Sequence, residues 1–173
     1  MIVEAVLEMM LERKEGTMQK VSPCLWFDTQ AEEAANFYVS LLDDSEVTDV
    51  QHLEGTPSGD NVALVFFRLA GLDFTAINGG PQFPFTEAVS FTVNCKDQDE
   101  VDRLWSVLTA DGGEEGQCGW LKDRFGLSWQ IIPERMGQLL SDPDPERRQR
   151  AMQAMLQMQK IDVKVMEDAA NAA

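Results

Sequence analysis

Apolar residues recur along this chain with two different periods, and the switches between the periods predict its elements. Alternating or short apolar runs bounded by turn residues predict strands over 21–27, 46–51, 62–69 and 72–78, and again over 88–94, 114–117, 119–123 and 127–132. Between the first and second strand of each set the period lengthens to that of a helix. Ala31, Ala34, Ala35, Tyr38, Leu41 and Leu42 form one apolar stripe, and Val101, Leu104, Trp105 and Leu108 form the other. Thr29 with Glu32, and Asp97 with Glu100, have the spacing of capping boxes at the two helix starts. The order β-α-β-β-β therefore occurs twice. Residues 26–38 lie over 93–105 in pattern without a gap.

Glycine, proline and asparagine punctuate the repeat at 55–60, 70–71, 78–84 and 112–113. The run Asn78-Gly79-Gly80-Pro81 is the expected link between a first half, 18–80, and a second, 81–133. Two flanks fall outside this pattern. Residues 1–17 carry Ile2, Val3, Val6, Leu7, Met10 and Leu11 at helical spacing, which predicts an appended helix ending near Gly16. Residues 134–173 form a helical tail in which Asp144 is an N-cap before Pro145. Its Met152, Met155, Leu156 and Met158 predict a methionine-rich amphipathic helix that needs a packing partner. The predicted class is α+β: two βαβββ modules curled around a cavity, with N- and C-terminal helical extensions.

Charge narrows the function. The 173 residues hold 14 basic and 30 acidic side chains, a formal charge of −16. Such a surface repels nucleic-acid phosphates and anionic lipid, so neither is an expected partner. Glu4, Glu8 and Glu12 interrupt the apolar N-terminal stretch, which reads as neither a signal peptide nor a membrane span. Cys24, Cys95 and Cys118 are odd in number and lack metal-ligand spacing, indicating neither a disulfide framework nor zinc. A cytoplasmic protein is expected.

Several stretches are more specific than the pattern. Residues 25–34 (LWFDTQAEEA), 75–81 (TAINGGP), 87–91 (EAVSF), 118–130 (CGWLKDRFGLSWQ) and 142–145 (DPDP) resemble the PhnB-like branch of the glyoxalase/bleomycin resistance, or vicinal oxygen chelate, superfamily. The resemblance covers residues 18 to about 165. It implies paired βαβββ modules and a homodimer, and carries the branch's frequent description as 3-demethylubiquinone-9 3-methyltransferase-like. A site for S-adenosylmethionine usually has a glycine-rich turn between strand and helix. Gly79-Gly80 and Gly112-Gly113 lead instead into a loop and a strand and read as turns, so no cofactor is expected.

Strand alternation assigns the cavity face. With Val21, Pro23, Leu25 and Phe27 packed on the helix, Ser22, Cys24 and Trp26 face the cavity. With Val89, Phe91 and Val93 packed, Ala88, Ser90 and Thr92 face it, and Leu127, Trp129 and Ile131 leave Ser128 and Gln130 inward. Asn78 joins them from the end of the fourth strand. Ser22, Cys24, Trp26, Asn78, Ser90, Thr92, Ser128 and Gln130 are the candidate ligand-binding residues, a polar lining with an aromatic wall. His52, the only histidine, is expected at the surface, and Cys24 is expected to be an inert thiol with no base beside it. Lys122, Asp123 and Arg124 form either a turn ion cluster or the mouth of the cavity.

The resemblance implies metal ligands on the first, fourth, fifth and eighth strands, where this chain has Ser22, Asn78 or Ala76, Ala88, and Gln130. Of these only Gln130 offers a usable donor, so no metal is expected. Two readings remain: a homodimeric module binding an unidentified small molecule, and an enzyme, either a metal-dependent lyase or dioxygenase or the methyltransferase of the family description.

Overall fold

The computed structural model describes residues 19–53 and 62–172; the N-terminal helix expected over 1–17 and the 55–60 turn lie outside the described residues. The chain divides into two compact units, 1–84 and 85–173. Each contains one four-stranded mixed sheet with a helix on one face.

In the first unit β1 (Cys24–Phe27), α1 (Ala31–Val39), β2 (Glu46–Leu53), β3 (Val62–Leu69) and β4 (Leu72–Asn78) build a sheet of order β1-β4-β3-β2. In the second, β5 (Ser90–Cys95), α2 (Gln98–Leu108), β6 (Glu114–Glu115), β7 (Trp120–Lys122) and β8 (Ser128–Pro133) repeat that order as β5-β8-β7-β6. In both sheets the first and last strands pair in parallel and the others antiparallel. Neither sheet closes. This is the glyoxalase/bleomycin resistance arrangement expected of the repeat.

The helices bury the predicted stripes. Ala31, Ala34, Ala35 and Tyr38 are buried under α1, with the Tyr38 and Phe67 rings 6.5 Å apart; Val101, Leu104, Trp105 and Leu108 are buried under α2. The caps differ. Asp97 caps α2 as predicted, accepting from the Glu100 amide at 2.9 Å, while the Glu100 carboxylate reaches back one residue past the cap to accept from the Lys96 amide at 2.9 Å. The cap expected at Thr29 does not form. Three residues, 28–30, separate β1 from α1, against two, 96–97, between β5 and α2. The extra residue makes Gln30 the N-cap without a side-chain bond, and the Asn78 side chain caps from another strand, its Oδ1 accepting from the Ala31 amide at 2.7 Å. That residue also corrects the gapless overlay of the halves, because a one-residue offset reverses which strand side chains face the helix.

The tail forms three helices rather than two: α3 (Glu134–Leu140), α4 (Pro145–Met155) and α5 (Val163–Asn171). Asp144 caps α4 as predicted, accepting from the Glu146 amide at 2.9 Å. The methionine-rich stripe ends with the helix at Met155. Its partner lies within the chain, where Leu139, Ala151, Ile161, Met166 and Ala170 form a buried cluster with Met155 and Met158 against it. The Cys118 and Gly119 amides donate to the Met158 and Gln159 carbonyls, and Gln98 bonds both the Ile161 carbonyl and the Val163 amide, tying this cluster to α2 and the turn before β7. Among the described residues no helix is long and apolar enough to cross a membrane.

Candidate functional site

Each sheet keeps one face free of its helix, and the strand registers fix which side chains stand there. In the second unit Glu114 pairs with Lys122, Lys122 with Ser128, and Ser128 with Ser90, so one row crosses all four strands. Beside it run Trp120, Gln130 and Thr92. Phe91, Trp129, Leu121 and Glu115 occupy the opposite, helix-side row, where the Trp105 indole donates to Glu115 at 2.8 Å. The open face is thus almost wholly polar. Gln130 Nε2 donates to the Ser90 hydroxyl at 2.9 Å.

A cleft of about 240 Å³ opens beside the first row, lined by Glu87, Glu114, Glu115, Gly116, Trp120, Leu121, Lys122 and Ser128. Lys122 Nζ lies 2.5 Å from Glu87 Oε1. This bond raises the lysine above its ordinary pKa and lowers the glutamate below its own, with Glu114 adding to the lysine's shift. Both groups are therefore charged across the neutral range. Ser128 is 1% exposed, and its hydroxyl finds no hydrogen-bond partner among the described residues.

The loop before β8 is held by Asp123, which is 2% exposed. Its carboxylate accepts from the amides of Phe125 (2.8 Å) and Leu127 (3.1 Å) and from the Trp129 indole (2.8 Å). Asp123 positions the strand carrying Ser128 and Gln130; it does not line the cleft. Arg124 lies 3.5 Å from Asp111 and over the Phe125 ring. Of the three charged residues weighed together in the sequence, only Lys122 reaches the cleft.

The open face of the first unit is different in kind. Its rows are Trp26, Ile77, Leu64 and Gln51, and Cys24, Thr75, Phe66 and Asp49. Leu64, Phe66 and Ile77 form a buried apolar cluster with Trp26 packed against it. The Trp26 indole donates to the Gly80 carbonyl at 2.8 Å, and its ring meets Phe83 edge-on at 5.0 Å. Cys24 is exposed as a residue, yet desolvation of its thiol raises the pKa, which keeps it protonated at neutral pH. Ser22 precedes β1 and is exposed, and Val21, expected to pack, is 83% exposed. Asn78 stands on the helix side, engaged at the start of α1. His52 is exposed, 3.8 Å from Glu32.

The second unit thus brings Ser90, Thr92, Ser128 and Gln130 onto one face, while in the first Cys24 and Trp26 share a face without Ser22 or Asn78. Glu87, Glu114 and Trp120 were missed by the sequence reading. Alternation along 119–123 carried the signal for Trp120, since Leu121 had to pack and its neighbours to face the other way.

Residues 19–132 match the model of the 3-demethylubiquinone-9 3-methyltransferase family. The chain belongs to this family. Among solved structures, this PhnB-like chain is 33% identical to the PhnB protein from Bacillus cereus, the match covering 66% of this chain and 99% of that one with a TM-score of 0.62. Protein PA1353 from Pseudomonas aeruginosa shares the fold at 20% identity and a TM-score of 0.56, over 68% of this chain and 98% of that one. No curated protein matches this chain. The family match ends at residue 132, so the helical tail lies beyond it.

The residues present do not fit the groups that family and fold imply. Among the described residues no three histidine, cysteine, aspartate or glutamate side chains are placed to hold a metal ion. At the four superfamily ligand positions, Ala88 and Ala76 have no donor, Ser22 precedes its strand, Asn78 Oδ1 is engaged by an amide, and only Gln130, bonded to Ser90 through Nε2, keeps a carbonyl oxygen that could ligate, which is too few donors for a metal. For S-adenosylmethionine, the strand-to-helix turns 28–30 and 96–97 contain no glycine, so neither allows the close backbone approach that such a site uses.

Proposed function

We propose that this PhnB-like protein is a small-molecule-binding module whose ligand lies against the open face of the second sheet. The observation that carries the reading is the pair of register rows that set Ser90, Ser128 and Lys122 beside Thr92, Gln130 and Trp120. A few convergent polar groups around one aromatic side chain are what fixes the orientation of a small ligand. An unused wetted face has no need of a buried hydroxyl, and Ser128 is buried.

A homodimer belongs to the same proposal. Met152 and Leu156 remain exposed beside the tail's internal core, and a second copy would cover them.

A thermal-shift series on the full chain tests the function. Small aromatic ligands with hydrogen-bonding groups should raise the melting temperature, since a ligand that binds only the folded state stabilises it. Shifts confined to S-adenosylmethionine, or to manganese, nickel or zinc, would favour the enzyme instead.

A further inference from the structure

We propose that the cleft takes a small organic cation, an amine or guanidinium joined to a flat apolar group, with the charge between Glu114 and Ser128 and the flat group against Trp120. The proposal rests on the binding reading above and adds the chemical class of the ligand.

Charge supplies the first argument. Glu87, Glu114 and Glu115 face a single basic group in the cleft lining, Lys122, so three carboxylates against one ammonium leave a surplus of two negative charges. Lys122 is engaged by Glu87 at 2.5 Å, and the Glu115 carboxylate accepts from the Trp105 indole at 2.8 Å. Glu114, at the edge of the same register row as Lys122 and Ser128, acts on Lys122 through charge, with Glu87 holding the lysine's 2.5 Å contact. An anionic ligand would meet net repulsion and an already paired lysine. A cation meets complementary charge.

The second argument is independent of charge. Ser128 is among the residues lining the cleft, its side chain shares the register row of Lys122 and Glu114, and its Oγ is buried with no partner among the described residues. A hydroxyl buried without a bond is costly, by about 1–3 kcal/mol on mutational scales. An N–H from an ammonium or guanidinium satisfies it as an acceptor. Trp120, half-buried in the next row, supplies the aromatic face over which cations and flat groups both settle. At about 240 Å³ the cleft lies below the usual range of ligand pockets, roughly 300–1,000 Å³, which limits the ligand to a compact molecule.

The test uses three near-isosteric probes, benzylamine, benzyl alcohol and benzoate, titrated at constant ionic strength into the ¹⁵N-labelled full chain. The readout is the indole cross-peak of Trp120, assigned with Trp120→Phe. Benzylamine should move the peak saturably, with an affinity roughly tenfold above either other probe. Glu114→Gln and Ser128→Ala should each weaken benzylamine several-fold while leaving the rest of the spectrum in place. Equal or tighter binding of the alcohol or benzoate would overturn the cation assignment and leave the binding reading standing. Unchanged benzylamine affinity in Glu114→Gln would also overturn it. If no probe moves Trp120, the cation assignment and the binding reading fall together.

Discussion

The two halves share strand order, helix placement and strand directions, yet their open faces have opposite chemistry. In the first, Leu64, Phe66 and Ile77 are buried with Trp26 against them; in the second, the corresponding surface is made of Ser90, Thr92, Ser128, Gln130, Lys122 and Glu114 around Trp120. The backbone pattern does not require either choice. A βαβββ module needs one apolar helix-side face to fold, and both have it, so the other face is free to vary. The first half uses that freedom mainly for more core and the second for polar groups; each leaves one buried polar atom without a partner among the described residues, Gln51 Oε1 at the edge of the first face and Ser128 Oγ within the second. An unsatisfied buried group retained in a folded protein calls for an explanation, and a ligand that completes its bonding is one.

The sharpest break of this comparison should come from the single carboxylate that organises the second half. Asp123→Ala would leave two amides and the Trp129 indole without their acceptor in a buried site. A loss of about 4 kcal/mol is expected, given about 1–3 kcal/mol for each orphaned buried group with partial relaxation. Denaturant unfolding measures it. A loss below that of Leu64→Ala, expected at about 3 kcal/mol in the apolar face of the first half, would show that Asp123 is dispensable to the loop.

Helix capping gives a finer comparison. Asp97 caps α2 from the adjacent turn, whereas Asn78 caps α1 from the far end of β4, 47 residues on. Asn78→Ala and Asp97→Ala should each cost about 1 kcal/mol. They should differ in kind: Asn78→Ala also loosens the β4 end, so amide exchange should rise at both Ala31 and Gly79, while the effect of Asp97→Ala stays within the first turn of α2. Equal and local effects would reduce the Asn78 bond to an ordinary cap.

The smallest change has the opposite sign. Ser128→Ala removes a buried hydroxyl with no partner among the described residues, so the melting temperature should stay level or rise, with a gain of about 1 kcal/mol at most. A clear destabilisation would mean that the hydroxyl is satisfied in solution and is not held in reserve for a ligand.

Much of this architecture was legible along the chain because it depends on periodicity alone. The bounds of β3 and β4 coincide with the apolar runs, and the α1 and α2 stripes are the predicted ones. Alternation placed Ser90, Thr92, Ser128 and Gln130 on one face, since side chains two apart on a strand cannot do otherwise. The cap at Asp97 was also local enough to read.

What the chain alone did not decide were the contacts between residues far apart in sequence. The Asn78 bond to Ala31 and the Glu87 bond to Lys122 join partners set together by strand pairing and turn geometry. A one-residue difference in two turns, invisible to a pattern overlay, moved the first helix cap from Thr29 to Gln30. Periodicity determined which residues face away from each helix, because it is a property of the local backbone. Only the tertiary structure decided which of those faces became core and which became a charged cleft, because that depends on side chains brought together across strands.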